Sequence, residues 1–247
     1  LLFDYDGTVR LGWEHAGHYA RLVASELPED DRRAFLAAHE AFCKGKPTTA
    51  STFDAYDPDN AVRRLSVEYG VPDPVRQAAY EATRARMAEG EFQIWAPSGL
   101  RELIWALPRD VEVVLVTNAP AASLEPALER LGLAGLFDEV VGDAAKPDGL
   151  GEVIDRLLKD RDPSTLLSIG DIPRNDLAPA AERGCATAYI DHFGRAWPQA
   201  DVSVAHPEDL WPYIHRWVNE RAALNALCAK AIPVRAENCT ESVAGPN

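Results

Sequence analysis

The chain has 247 residues, 47% of them hydrophobic and 26% charged, and a formal net charge of −14. This is ordinary globular material, long enough for one large or two modest domains, with no apolar stretch of bilayer-spanning length. The acidic balance excludes general attraction to a phosphate backbone, so neither nucleic acid nor membrane is an expected partner.

Leu1 to Phe3 is apolar and reads as a strand already under way at the first residue, so a few residues are expected to precede it. It runs into Asp4-Tyr5-Asp6-Gly7-Thr8, which puts carboxylates at a strand's carboxyl tip followed by a tight Gly-Thr turn. Residues i and i+2 of a strand point the same way, so Asp4 and Asp6 are expected to share one side. Residues 13–95 then form a polar, Ala- and Arg-rich stretch in which Leu22, Phe35, Leu36, Phe42, Val62, Leu65, Tyr69, Tyr80 and Met87 recur at helical spacings. Asp57-Pro58-Asp59 and Gly70-Val71-Pro72-Asp73-Pro74 break it into helices.

Short Val-, Ile- and Leu-rich runs at 111–116, 139–141, 165–169 and 186–190 read as buried strands. Helical spacings fill 100–107, 123–131, 151–159 and 176–183, two of them stopping at Gly132 and Gly184. Such alternation implies an α/β fold, a doubly wound parallel sheet covered on both faces, with an inserted helical unit. Domain limits follow at 1–12 plus 96–221 for the α/β core and 13–95 for the insertion. A C-terminal extension, 222–247, is expected to be partly disordered, its polar tail starting at Ile232. Trp211, Ile214, Trp217, Val218 and Leu224 suit an amphipathic helix docked on the core or presented to a second copy, so monomer and homodimer both stay open.

Three further patches fall at strand ends: Val116-Thr117-Asn118, Lys146-Pro147 and Gly170-Asp171-Ile172-Pro173-Arg174-Asn175-Asp176. Together with Asp4 and Asp6 they form an ordered acid, hydroxyl, amine, acid series. Transfer of a phosphoryl group needs an in-line nucleophile, a proton donor for the leaving oxygen and positive charge on the equatorial oxygens. Asp4 fits the nucleophile, Asp6 the acid/base, and Thr117 and Lys146 the phosphoryl clamp. Neighbouring carboxylates favour a shared cation, and Asp171 with Asp176 would complete an oxygen site suited to Mg2+.

These four patches resemble the motifs of the haloacid dehalogenase (HAD) superfamily of hydrolases, in its phosphatase branch, over roughly residues 1 to 210. Asp4 and Asp6 match the Asp-x-Asp-Gly-Thr motif, Thr117 the second, Lys146 the third, and Asp171 with Asp176 the Gly-Asp-x-x-x-x-Asp form of the fourth. The resemblance implies a Rossmann-like core with a C1-type cap formed by residues 13–95. It also implies magnesium held by the Asp4 side chain, the Asp6 backbone carbonyl and Asp171, with Asp176 beside it, and an aspartyl-phosphate formed on Asp4. The implied activity is hydrolysis of a small phosphorylated metabolite. A phosphotransferase or mutase, a phosphonate hydrolase with a cap lysine, and a non-catalytic binding module are the alternatives. Ile172 and Pro173 depart from the family's small hydroxyl residue, and Val9-Arg10-Leu11-Gly12-Trp13 lacks its usual acidic or serine residue.

On the substrate side, Asn118 adjoins Thr117, and Lys44 and Lys46 lie in the Lys44-to-Thr52 stretch, which either faces an anionic substrate or is a solvated loop. His15 and His18 read as a surface helix pair. His192 and Phe193 either border the pocket or form a plain loop. Four cysteines (Cys43, Cys185, Cys228, Cys239) without metal-type spacing suggest free thiols and a cytoplasmic location.

Overall fold

A computed structural model describes residues 1–231, with side chains up to Arg221 and at Ala223. Alternation along the central strands decides the layers. In β1 (Leu2–Phe3) and β2 (Val114–Val116), Leu2, Val114 and Val116 pack to one face while Phe3 and Leu115 pack to the other. Both faces are apolar, so these strands are buried on both sides, as parallel strands require. With β3 (Glu139–Val141), β4 (Leu167–Gly170), β5 (Ala186–Ile190) and β6 (Val202–Val204), they form one parallel sheet in the order β3-β2-β1-β4-β5-β6.

The outermost strand, β6, is absent from the sequence expectation because the serine splits its two valines, leaving no continuous apolar run. β3 was expected to be buried, but it is the opposite edge and leaves Val140 exposed. The chain winds outward from β1 to β3, then crosses back to β4 on the other side of β1. That reversal opens a crevice at the carboxyl ends of β1 and β4, the usual ligand position in open α/β sheets.

The insertion comprises α1 (Glu14–Ala24), α2 (Glu29–Cys43), α3 (Ala50–Phe53), α4 (Pro58–Glu68) and α5 (Asp73–Ala88). Its own core gathers Tyr19, Val23, Phe35, Val62 and Leu65. The break at Asp57-Pro58-Asp59 is the start of α4: Asp57 accepts the Asn60 N–H at 2.6 Å, and Pro58 takes the first helical position, where no N–H is needed. The two ends of the insertion meet, since Leu11 and Trp95 exchange backbone hydrogen bonds of 2.8 and 3.1 Å. Gly12 makes this approach possible, because at φ +115° a Cβ there would lie 2.5 Å from the Gln93 carbonyl.

Helices α6 (Leu100–Ala106), α7 (Ala121–Arg130) and α10 (Trp211–Ala231) cover the Phe3 face, and α8 (Asp148–Leu158) with α9 (Ala178–Ala181) covers the Leu2 face. Ile214, Trp217 and Val218 dock α10 on the core as expected, while Leu224 lies outside the described side chains. Because α10 continues to Ala231, the expected boundary at 222 falls inside a helix. The polar tail expected from Ile232 lies outside the described residues.

Candidate active site

The chain leaves the sheet at Asp4, whose N–H still bonds the Ile169 carbonyl at 2.9 Å, and then turns tightly as the Val9 and Arg10 N–H groups converge on the Tyr5 carbonyl. Gly7 at φ +84° allows that turn. A Cβ there would sit 2.1 Å from Asp171 Oδ2, so glycine is also what lets the two acidic loops touch. Asp4 and Asp6 both line the crevice, with different partners. Strand alternation ends at Phe3; Asp4 faces Lys146, whereas Asp6 accepts a 2.9 Å ion pair from Arg10.

Lys146 enters from beyond β3. Asn118 holds its backbone, accepting the Lys146 N–H at 2.6 Å and donating to the Lys146 carbonyl at 3.2 Å. Its ammonium donates to Asp4 Oδ1 at 2.5 Å and to Asp176 Oδ1 at 2.7 Å. Burial alone would lower this amine, but the Asp176 and Asp4 charges outweigh burial and hold it well above its ordinary value. Thr117, at the tip of β2, is buried, and its hydroxyl oxygen accepts the Ala119 N–H at 3.0 Å.

Asp171 ends the β4 segment, and a π-helical turn over Pro173–Leu177 brings Asp176 back against it. Gly170 makes room, since a Cβ there would lie 2.3 Å from the Asp176 Cβ. Where the family pattern has a small hydroxyl, the Ile172 N–H donates to Asp176 Oδ2 at 2.8 Å. The carboxylates of Asp4, Asp171 and Asp176 each offer an oxygen within 4.8 Å of the others, and the Asp6 carboxylate is not among them. Asp4 Oδ2 and Asp171 Oδ1 are buried without any hydrogen-bond partner.

Burial, then the Asp176 charge, pushes the Asp4 carboxyl up to about 7 despite Lys146. Burial and the Asp4 and Asp176 charges likewise raise Asp171 well above the carboxylate range. Three buried acids against one lysine, with two orphaned oxygens, is a donor set that fits a hard divalent cation.

The insertion roofs this floor, enclosing a cavity of about 550 Å³. Its wall is made by Trp13, His15, Tyr19 and residues of α4 and α5, including Arg63, Arg76, Tyr80 and Arg84. Lys44 and Lys46 are not part of it. Lys44 is exposed and pairs with Glu40 at 2.5 Å, and Lys46 is exposed as well. The Thr49–Thr52 capping box folds the following residues into α3, whose Thr52 and Phe53 carbonyls are taken by Arg195.

The expected His15 and His18 surface pair is also corrected. His15 is only 4% exposed and joins Arg10 (3.3 Å) to Asp59 (3.2 Å), while His18 meets the Thr83 hydroxyl at 3.1 Å. Burial would raise Asp59, but the His15 hydrogen bond and the His15, Arg10 and Arg84 charges hold it below its ordinary value. His192, left open between pocket border and loop, donates from Nε2 to the Gly7 carbonyl at 2.6 Å and steadies the turn after β1. Arg10, His15 and the arginines of the insertion escaped sequence reasoning because nothing in their local spacing shows that α1, α4 and α5 lie over the strand tips; the one available signal was the arginine content of the insertion.

A family model for haloacid dehalogenase-like hydrolases matches residues 1–178. N-acetylmuramic acid 6-phosphate phosphatase of Pseudomonas putida is 26% identical over 230 residues, covering 85% of this chain and 93% of that protein. YfnB of Bacillus subtilis, solved with magnesium bound, has the same fold at 22% identity and a TM-score of 0.56, covering 87% of this chain and 97% of that one. A protein of Haemophilus somnus solved as a predicted phosphoglycolate phosphatase aligns at 16% identity and a TM-score of 0.63, covering 86% and 96%. With the family model spanning most of its length, and its acids, hydroxyl and lysine gathered at the sheet's switch point, the chain belongs to the haloacid dehalogenase-like hydrolases.

Proposed function

We propose that this enzyme is a magnesium-dependent phosphatase that cleaves a phosphomonoester of a small metabolite through an aspartyl-phosphate intermediate. The observation that carries this reading is Asp4: a buried carboxylate with one oxygen on Lys146 and the other unpartnered, at the floor of a metabolite-sized cavity. In the first step Asp4 attacks phosphorus, a new P–O bond forms as the ester P–O bond breaks, and Asp6 gives its proton to the leaving oxygen. In the second step Asp6 takes a proton from a water molecule, which attacks the same phosphorus and releases Asp4 and inorganic phosphate. Arg10 keeps Asp6 in place, and Lys146 and Thr117 hold the phosphoryl oxygens. Asp4 and Asp171, with Asp176 beside them and the Asp6 backbone carbonyl, would hold magnesium, which neutralises charge so that an anionic ester tolerates an anionic nucleophile.

The similarity to a sugar-phosphate phosphatase supports hydrolysis, and the exposed positions of Lys44 and Lys46 weigh against a phosphonate hydrolase that needs a cap lysine in the cavity. Among the described residues no helix is long and apolar enough to cross a membrane, and Cys43 and Cys185 are free thiols, which supports a cytoplasmic location. The test is release of inorganic phosphate from an aryl phosphate with and without magnesium, followed by a metabolite panel that includes N-acetylmuramic acid 6-phosphate and phosphoglycolate. Stoichiometric phosphate release identifies hydrolysis, whereas transfer to a sugar hydroxyl identifies a phosphotransferase or mutase. No turnover of any ester leaves the binding module.

A further inference from the structure

The cavity lining mixes both signs of charge, with Asp4, Asp6, Asp57, Asp59 and Asp176 set against Lys146 and a group of arginines. In a chain of net charge −14, the α4 and α5 side of the cavity presents three arginines, Arg63, Arg76 and Arg84. They are not there to neutralise the catalytic acids. Lys146 pairs with Asp4 and Asp176, Arg10 pairs with Asp6, and Asp59 is held by His15. Arg76 is tied to exposed Asp73 at 3.0 Å. Among the described residues Arg63 makes no hydrogen bond or ion pair, and Arg84 reaches only the Met87 sulfur at 3.7 Å. Arg63, exposed at the rim, and half-buried Arg84 have no carboxylate within ion-pair distance, although Asp57 and Asp59 line the same wall and the Arg84 charge acts on Asp59, so both guanidinium groups are open to an anion entering the cavity. The phosphoryl group is not that anion, because its oxygens are bound at the floor by Lys146 and Thr117.

We infer that the substrate carries a second anionic group, a carboxylate on its leaving portion, and that Arg63 and Arg84 bind it. The inference rests on the phosphatase reading and narrows it to phosphorylated hydroxy acids and sugar acids. A guanidinium fork matches a carboxylate with two parallel hydrogen bonds, which gives orientation as well as attraction. Tyr19, Tyr56, Tyr80 and Trp13 line the same cavity and supply flat surfaces for the carbon skeleton between the two anions. The volume of about 550 Å³ suits a molecule of sugar-phosphate size.

The experiment compares kcat/KM of the magnesium-loaded enzyme on matched esters in which a hydroxymethyl group replaces the carboxylate. The pairs are phosphoglycolate with 2-hydroxyethyl phosphate, 3-phosphoglycerate with glycerol 3-phosphate, and 6-phosphogluconate with glucitol 6-phosphate. At least one acid is expected to exceed its counterpart by about tenfold or more, the range set by a charge-assisted hydrogen bond. Arg63→Met and Arg84→Met should each shrink that ratio, and Arg84→Lys should restore part of it in comparison with Arg84→Met. Circular dichroism and thermal melting of each variant separate a folding defect from lost recognition. The inference is overturned if no acid is preferred, if a bisphosphate alone is preferred, or if the preference survives in both methionine variants. Absence of turnover on every ester, an aryl phosphate included, defeats the phosphatase reading itself and the inference with it.

Discussion

In the proposed reaction, Asp4 concentrates the chemistry of the site in one carboxylate. Replacing it with asparagine preserves shape but removes the nucleophile, so Asp4→Asn should lower turnover by about a thousandfold or more while leaving the fold intact; near wild-type rates in a deamidation-free sample would exclude Asp4. The same carboxyl carries a stability signature. Folded, it keeps its proton up to about pH 7, whereas an unfolded aspartate loses it near 3.8. Between those values the folded state binds more protons than the unfolded state, so the Asp4 contribution to stability declines as pH rises from about 4 to 7. Asp57, pushed up to about 7 by burial and by Asp59, acts in the same direction. In chelator, Asp4→Asn should therefore gain melting temperature relative to the wild type as pH is raised from 5 to 8, and a constant difference across that range would contradict the burial-driven shift.

Among the elements, the loop after β5 clasps the inserted helical unit. Arg195 donates to the carbonyls of Thr52 and Phe53 at the end of α3 and lies over Phe42, while Phe193 stacks on Phe42 at 4.9 Å. Asp191 shapes the loop by accepting the Arg195 and Ala196 N–H groups at 2.7 and 3.0 Å. Arg195→Ala should loosen the cap, with faster amide exchange in α3, a raised KM for the metabolite and little change in the exchange of β1 and β4. Unchanged exchange in α3 would show the clasp to be dispensable.

How much of this was legible in the sequence depended on where each residue's partner lay. Asp4, Thr117, Lys146 and Asp171 could be read because a motif at a strand tip carries its own geometry. β6 could not, since a serine splits its two valines and leaves no apolar run, and Lys44 and Lys46 misled because a capping hydroxyl, not their charge, sets the course of the chain there. His15 was misjudged for a third reason: what buries it is Arg10 on the turn after β1 and Asp59 on another helix, 44 residues away.

Taken as one molecule, the enzyme joins an acidic floor, proposed to hold magnesium, to an arginine-bearing roof. Chelation should abolish activity, magnesium should restore it, and calcium, larger and less exacting in geometry, should support it poorly. Asp171→Ala should weaken magnesium binding more than Asp176→Ala, because Asp176 is also engaged by Lys146 and the Ile172 N–H whereas Asp171 keeps an unpartnered oxygen. Titration calorimetry of both variants decides the order, and full activity in chelator would remove the metal from the mechanism.

The meeting of Leu11 with Trp95 gives the molecule a single doorway. Both covalent connections to the roof pass through it side by side, so the helices above can swing as one leaf while no strand of the sheet has to bend. The same doorway makes the roof a replaceable part. A different bundle spliced between Gly12 and Trp95 would keep the acids, hydroxyl and lysine at the strand tips but would have to supply anew the His15 and Asp59 contacts that reach Arg10, so a change of selectivity also touches the setting of Asp6.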